Sequence, residues 1–125
     1  MSGDAFSTRE TSGTRKTIAI VGPCASGKST LAANLRTMGI DARVSGQEHS
    51  EIASLWKRIG ADVVVALHLD LETLRDRRGE TWPRALFELQ LKRLRDAYAA
   101  ADIHLDTSEL SETDALDRVL KVLET

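Results

Sequence analysis

The chain lacks several features that would assign it to a specialised class of protein. Its 125 residues include a single cysteine, so no disulfide can form within the chain. The formal net charge is only −2, so no overall field draws the protein to nucleic acid or to an anionic membrane. No stretch approaches the ~20 apolar residues of a membrane span, and the first residues lack the apolar core of a secretory signal. We therefore expect a cytoplasmic protein that binds neither nucleic acid nor membrane.

The composition is that of one small domain. Hydrophobic residues make up 42% of the chain, which is enough for a modest core. Residues 1–15 are rich in Ser, Thr and Gly with mixed charge, and we predict a disordered lead-in there. Residues 16–125 are then predicted to form a single nucleotide-binding domain, for the reasons that follow.

The most informative segment is GPCASGKS at positions 22–29, which matches the phosphate-binding pattern G-x-x-x-x-G-K-[ST]. Holding a polyphosphate requires donors that converge on a small volume. Backbone N–H groups of a glycine-rich loop, followed by a helix N-terminus, provide them. Lys28 is predicted to hold the outer phosphates and Ser29 to ligate Mg²⁺. The predicted nucleotide contacts in this segment are Gly22, Ala25, Ser26, Gly27, Lys28, Ser29 and Thr30. The alternative is a glycine-rich turn with an unrelated lysine.

Apolar runs and helical periodicities alternate along the rest of the chain. Strands are predicted at 17–21, 42–45, 63–69 and 102–105, the third of them buried on both faces. Helices are predicted from 28 to Gly39, from 50 to 59, from 71 to 78, from 84 to 100 and from 111 onward. The helix at 84–100 is expected to face inward with Leu86, Leu89, Leu94, Ala97 and Tyr98. Strands that alternate with helices indicate a three-layer α/β fold with a parallel sheet.

Polar residues that follow the predicted strands are the next candidates, because ligands bind beyond the carboxyl ends of parallel strands. A Mg²⁺ site beside the first strand requires a carboxylate. Glu48, after the second strand, is favoured. Asp70, after the third strand, competes with it but is also explained as a helix cap.

Two neighbouring residues, His49 and Cys24, each allow a functional and a structural interpretation. His49 could orient an acceptor or act as a base, or it could be a loop histidine that faces solvent. Cys24 could have a lowered pKa next to Lys28 and a helix N-terminus, or it could be a small residue that fits the loop. The spacing of His, Cys and Asp gives no sign of a structural zinc site.

Three segments, GPCASGKSTLAANL, VVVALHLDLETLRDRR and RLRDAYAAADIHLDTSE, resemble the nucleoside-monophosphate kinase and shikimate kinase group of P-loop kinases. The resemblance spans most of residues 17–124. It implies a P-loop NTPase fold with a four-stranded sheet in the order 2-1-3-4, and the use of ATP with Mg²⁺. It also implies a lid whose arginines stabilise the transferring phosphoryl group, with Arg77, Arg78 and Arg84 as candidates. Adenine would pack at Asp106 and Thr107.

The chain also departs from that kinase group, and two functions stay open. It has one strand fewer, and the acceptor-binding insertion is largely missing between the first helix and the third strand. The first hypothesis is a kinase for a small molecule, in which Lys28, Glu48, Arg78 and Arg84 carry catalysis. The second is a nucleotide-binding module with little or no turnover that serves a protein partner or a regulatory switch. A GTPase-type switch is disfavoured because the guanine-binding segment N-K-x-D is missing.

Overall fold

A computed structural model describes residues 16–124 and shows four strands that alternate with helices. The strands are β1 (Thr17–Val21), β2 (Asp41–Val44), β3 (Val63–His68) and β4 (Ile103–Asp106). The α-helices are α1 (Lys28–Thr37), α2 (Leu71–Arg78), α3 (Arg84–Ala100) and α4 (Glu112–Glu124). The predicted lead-in at 1–15 lies outside the described residues. Within 16–124, every helix is too short or too polar to cross a lipid bilayer.

All four strands run parallel in one sheet, in the order β2-β1-β3-β4. This confirms the predicted α/β class and the predicted strand order. The two central strands, β1 and β3, are apolar runs, and burial of β3 on both faces was predicted. Ile20 of β1 lies opposite both Val44 and Val65. Because all strands point the same way, the segments that follow them meet at one edge of the sheet.

Helices cover both faces of the sheet. On one face, the even-numbered residues of β1 and the odd-numbered residues of β3 pack against Leu31 and Leu35 of α1 and Val119 of α4. On the other face, Ala19, Val21, Val64 and Ala66 pack against Leu94 and Ala97 of α3. This alternation follows from the period of two in a strand. The contacts of Leu31 and Leu35 with the first face fix the position of α1 on the sheet, and therefore the position of the loop that connects β1 to α1.

The segment between β2 and β3 requires a correction. A helix was predicted over 50–59, but the chain forms two short 3₁₀ turns, Gln47–His49 and Leu55–Ile59, and Ile52 is exposed. In an α-helix the N–H of Trp56 would donate to the carbonyl of Ile52. Instead, the buried Gln47 side-chain amide bonds to both of these backbone groups: it donates to Ile52 O at 2.8 Å and accepts from Trp56 N at 2.9 Å. A side chain thus replaces the helical hydrogen bond.

Helix α3 has the predicted bounds but not the predicted inner face. Its buried residues are Phe87, Gln90, Leu94 and Ala97, whereas Leu89 is exposed, so the prediction for Leu89 was wrong. The buried positions recur at intervals of three and four residues, and position 89 lies outside that stripe. The stripe includes one polar residue, Gln90, which reaches the candidate site.

Candidate functional site

A cavity of ≈ 590 Å³ opens at the carboxyl edge of the sheet, above the loop between β1 and α1. We call residues 22–27 the glycine loop. The predicted contact residues from Ala25 to Thr30 all line the cavity, and Glu48 and His49 come to it from the 3₁₀ turn after β2. The opposite side is contributed by α2, by the segment after β4 and by the start of α4, through Arg77, Arg78, Thr107, Leu110, Ser111, Glu112 and Ala115.

Two glycines give the glycine loop its shape. Gly22 does not line the cavity but lies beneath it, where a Cβ atom would be 2.6 Å from Ser26 Oγ and 3.0 Å from the carbonyl oxygen of Leu67. Only glycine therefore allows the loop to pass so close to β3. Gly27 has a φ of 97°, in the left-handed region that favours glycine. Ala25 also has a positive φ, of 64°, so the loop is strained at a non-glycine residue.

The N-terminus of α1 points at the cavity, and neither a capping side chain nor an acidic residue in the first turn balances its positive partial charge. Gly27 offers no side-chain cap, and the first turn of α1 contains no acidic residue. The first intrahelical hydrogen bond is donated by Leu31 to Gly27 O, so the N–H groups of Lys28, Ser29 and Thr30 have no acceptor within the helix. A helix end with free N–H groups and a positive dipole attracts an anion.

The ammonium group of Lys28 is held at the base of the cavity. It donates to the carbonyl oxygens of Gly22 at 2.8 Å and Pro23 at 2.9 Å, and it lies 2.9 Å from Oε2 of Glu48. Three N–H donors thus face three acceptors. Both side chains are nearly buried, at 10% and 5% exposure, so this ion pair is much less screened than a surface pair. The prediction placed Lys28 and Glu48 in one site, and the structure brings them into contact.

Glu48 carries an unused acceptor. Its Oε1 atom is buried and has no hydrogen-bond partner within residues 16–124, although Oε2 contacts Lys28. An unpaired buried carboxylate oxygen is costly and marks a place where a ligand is expected. The negative charge of Glu48 also acts on Tyr98: burial, and then this charge, raise the pKa of the Tyr98 hydroxyl. That hydroxyl donates to Leu67 O at 2.7 Å.

A second brace holds the glycine loop from the other side. Arg77 of α2 donates from Nη1 to Ala25 O and from Nη2 to Thr107 O, each at 2.7 Å. The Thr107 hydroxyl donates to Ser26 O at 2.9 Å. Arg77 is thus the arginine that fixes the loop, whereas Arg78 lines the cavity with its guanidinium 5.9 Å from the Trp82 ring. Arg77 was a candidate from the sequence, but the sequence gave no sign of its contacts to the carbonyls of Ala25 and Thr107.

Cys24 is fixed by a residue that the sequence did not single out. Its N–H donates to Gln90 Oε1 at 3.0 Å, and its sulfur accepts from Gln90 Nε2 at 3.2 Å. Gln90 is 1% exposed and comes from the middle of α3. A polar residue in the apolar stripe of a helix was the available signal, since such a residue needs a buried partner.

Three predicted site residues lie apart from the cavity. Asp70 caps α2 by accepting from Thr73 N at 2.7 Å, and hydrogen bonds from the Thr73 side chain and backbone lower the pKa of Asp70. Asp106 accepts from Ser108 N at 2.9 Å and is exposed. Arg84 is exposed at the start of α3. None of the three lines the cavity, so of the two carboxylates that were weighed for Mg²⁺ only Glu48 reaches it.

Comparison of this chain with models of protein families and with curated protein sequences finds no match. A functional proposal therefore depends on the geometry of the residues above. Its main elements are the glycine loop, the α1 N-terminus and the Lys28–Glu48 pair.

Proposed function

We propose that this chain is a P-loop protein that binds ATP with Mg²⁺ and transfers the γ-phosphoryl group to a small molecule. The observation that carries the proposal is the position of Lys28. Its ammonium lies at the base of a cavity lined by the glycine loop and by the uncapped N-terminus of α1. A full positive charge and several free N–H groups that converge on one cavity suit a polyphosphate. The cavity volume, ≈ 590 Å³, is in the range of ligand sites, ~300–1,000 Å³.

Lys28 must exchange a partner when phosphate enters. All three of its donors are in use, and the Glu48 carboxylate is the one acceptor with a charge. A phosphate oxygen replaces that carboxylate with another anion, so the exchange preserves a charge-assisted hydrogen bond. Glu48 then loses its cation while it stays buried. The same event that fixes the phosphate thus frees a carboxylate beside it.

The residues present fit a Mg²⁺ ion. Mg²⁺ prefers oxygen ligands, and the cavity offers the Ser29 hydroxyl on the first turn of α1 and the unpaired Oε1 of Glu48. When bound, Mg²⁺ neutralises negative charge on the phosphates during transfer. Arg78 also lines the cavity and can contribute a further positive charge to the phosphates. Leu110 and Ala115 offer apolar surface against which the adenine ring can pack.

Calorimetry with MgATP tests the binding proposal. We expect a saturable heat for the wild-type chain and at least a ~10-fold weaker affinity for Lys28→Ala, because a charge-assisted hydrogen bond contributes about 1.5–3 kcal/mol. Lys121→Ala, on the exposed face of α4, is the matched control and should bind normally. Ser29→Ala should lose the Mg²⁺-dependent part of the affinity only. No heat with ATP, GTP or their diphosphates would refute the proposal.

Turnover separates the kinase from the alternative, a nucleotide-binding module without an acceptor. ADP formation is measured with a panel of small hydroxyl, carboxyl and phosphate acceptors. The kinase proposal predicts one acceptor that raises the rate above hydrolysis, and Arg78→Ala should lower that rate more than it weakens ATP binding. Binding of ATP without stimulation by any acceptor would favour the module.

A further inference from the structure

Three different ligating groups, from Cys24, Glu48 and His49, lie together in the wall of the cavity. Cys24 Sγ is 3.9 Å from His49 Nε2, and His49 Nε2 is 3.5 Å from Glu48 Oε2. One atom from each of these residues falls within 4.8 Å of the other two. The proposed phosphoryl transfer uses only Glu48 of this set. The thiol and the imidazole therefore have no role in it.

We propose that Cys24, Glu48 and His49 form a binding site for a thiophilic divalent cation, Zn²⁺ in the first instance. Ligand bonds of about 2.0–2.3 Å in a tetrahedral arrangement place neighbouring ligand atoms roughly 3.5 Å apart. The separations of His49 Nε2 from Glu48 Oε2, 3.5 Å, and from Cys24 Sγ, 3.9 Å, are close to that spacing. Three protein ligands leave a fourth position open toward the cavity, as in catalytic zinc sites.

The unpaired Oε1 of Glu48, which the proposed nucleotide complex would use for Mg²⁺, is available to a different cation in the nucleotide-free chain. The Glu48 side chain is only 5% exposed, yet this oxygen has no partner among the described residues. Glu48 Oε2 lies 3.5 Å from His49 Nε2 and 2.9 Å from Lys28 Nζ, so a metal bound through Oε2 shares that oxygen with Lys28, whereas a metal bound through Oε1 leaves the Lys28 contact intact. A cation beside Oε1 would remove the cost of an unsatisfied buried acceptor.

The surroundings of the thiol suit metal binding. Gln90 Oε1 accepts the Cys24 N–H, which turns the Gln90 amide N–H toward the sulfur at 3.2 Å. This contact holds the sulfur in place, and the thiolate is the form of cysteine that binds metal. Metal binding breaks the S–H bond, forms the S–Zn bond and releases one proton to solvent. Sulfur and imidazole ligands select Zn²⁺ and Co²⁺ over Mg²⁺, so this site differs in chemistry from the proposed magnesium site.

Cobalt titration of the full-length chain tests the proposal without nucleotide. Because the chain contains one cysteine, a thiolate-to-cobalt charge-transfer band can arise only from Cys24. We expect this band in the wild type, its loss on addition of one equivalent of Zn²⁺, and release of a proton on binding. Cys24→Ser should abolish the band. His49→Ala should weaken Zn²⁺ binding more than about tenfold, since even indirect contacts to a metal contribute that much.

His104→Ala is the matched control. His104 Nδ1 lies 2.9 Å from His68 Nε2 on β3 and β4, so this pair is the competing imidazole site among the described residues. The His49 side chain is 64% exposed, and its replacement should leave the fold intact, as circular dichroism would verify. A wild-type spectrum without the charge-transfer band, an unchanged band in Cys24→Ser, or loss of zinc binding in His104→Ala would each overturn the proposal. Because no nucleotide is present, either proposal can fail without the other.

Discussion

Arg77 donates a hydrogen bond of 2.7 Å to the carbonyl oxygen of Thr107 across the carboxyl edge of the sheet. The second arm of the same guanidinium donates to Ala25 O at the same distance. One side chain on α2 therefore joins the glycine loop to the segment after β4. This link makes Arg77 a positioning residue in the proposed ATP site.

The first prediction concerns this link. Arg77→Ala should weaken MgATP binding about tenfold, because the two hydrogen bonds that join the Ala25 carbonyl of the glycine loop to the Thr107 carbonyl are lost. Arg77→Lys should recover little of the affinity, since an ammonium cannot reproduce the two-pronged geometry of a guanidinium. Arg58→Ala, at an exposed position in the 3₁₀ turn before β3, should bind as the wild type does. Equal affinities for Arg77→Ala and Arg58→Ala would remove Arg77 from the site.

The second prediction concerns strain in the glycine loop. Ala25 has a φ of 64°, a left-handed conformation that costs an alanine roughly 1–2 kcal/mol. Ala25→Gly should therefore raise the free energy of unfolding by about 0.5–1 kcal/mol, after the greater unfolded-state entropy of glycine is subtracted. Ala33→Gly, at an exposed position within α1, should lower it by about 1 kcal/mol. Urea unfolding measures both, and the same sign for the two variants would contradict the prediction.

The third prediction concerns the Lys28–Glu48 pair. Lys28→Met leaves a carboxylate buried without its cation, which should lower the free energy of unfolding by about 3 kcal/mol. Glu48→Gln should cost less, because Lys28 keeps its hydrogen bonds to Gly22 O and Pro23 O. The double variant should be more stable than Lys28→Met alone. If the two losses simply add in urea unfolding, the two side chains do not interact energetically.

The fourth prediction concerns pH. Burial lowers the pKa of His68 from its ordinary value of 6.5, the charge of His104 lowers it further, and Asp106 opposes this effect. The unfolded chain therefore binds a proton more readily than the folded chain in the window below pH 6.5. Stability from this group is fully present above pH 6.5 and is lost as the pH falls through the lower, folded-state pKa of His68.

Urea unfolding across that window tests the sign. His68→Gln should flatten the fall in stability toward acid relative to the wild type. Lys121→Ala, on the exposed face of α4, is the control and should keep the slope. A steeper loss of stability in His68→Gln would show that the sign is wrong.

Much of the fold could be predicted because local sequence and tertiary environment agree. The apolar run at Val63–Leu67 predicts a central strand, and Pro83 with the periodic residues after it predicts α3 to the residue. The prediction failed at 50–59, where a buried Gln47 amide displaces the hydrogen bond of a helix. Periodicity cannot reveal that competition, because it depends on how Gln47 is buried against α3.

The candidate site was predictable where residues follow a motif or a strand end. Lys28 and Glu48 were expected together, and they form an ion pair. The contact between Cys24 and Gln90 spans 66 residues and has no local signature. Cys24 and His49 likewise meet only because β2 lies beside β1, so their spacing along the chain shows no metal pattern.

The pair of hydrogen bonds between Gln90 and Cys24 has a mechanical consequence. The middle of a 17-residue helix is fastened to both the backbone and the sulfur of one residue in the glycine loop. Any movement of α3 relative to the glycine loop must therefore break the two buried hydrogen bonds between Gln90 and Cys24. A displacement of α3 would therefore be transmitted by the Gln90 side-chain amide to Cys24, which lines the cavity.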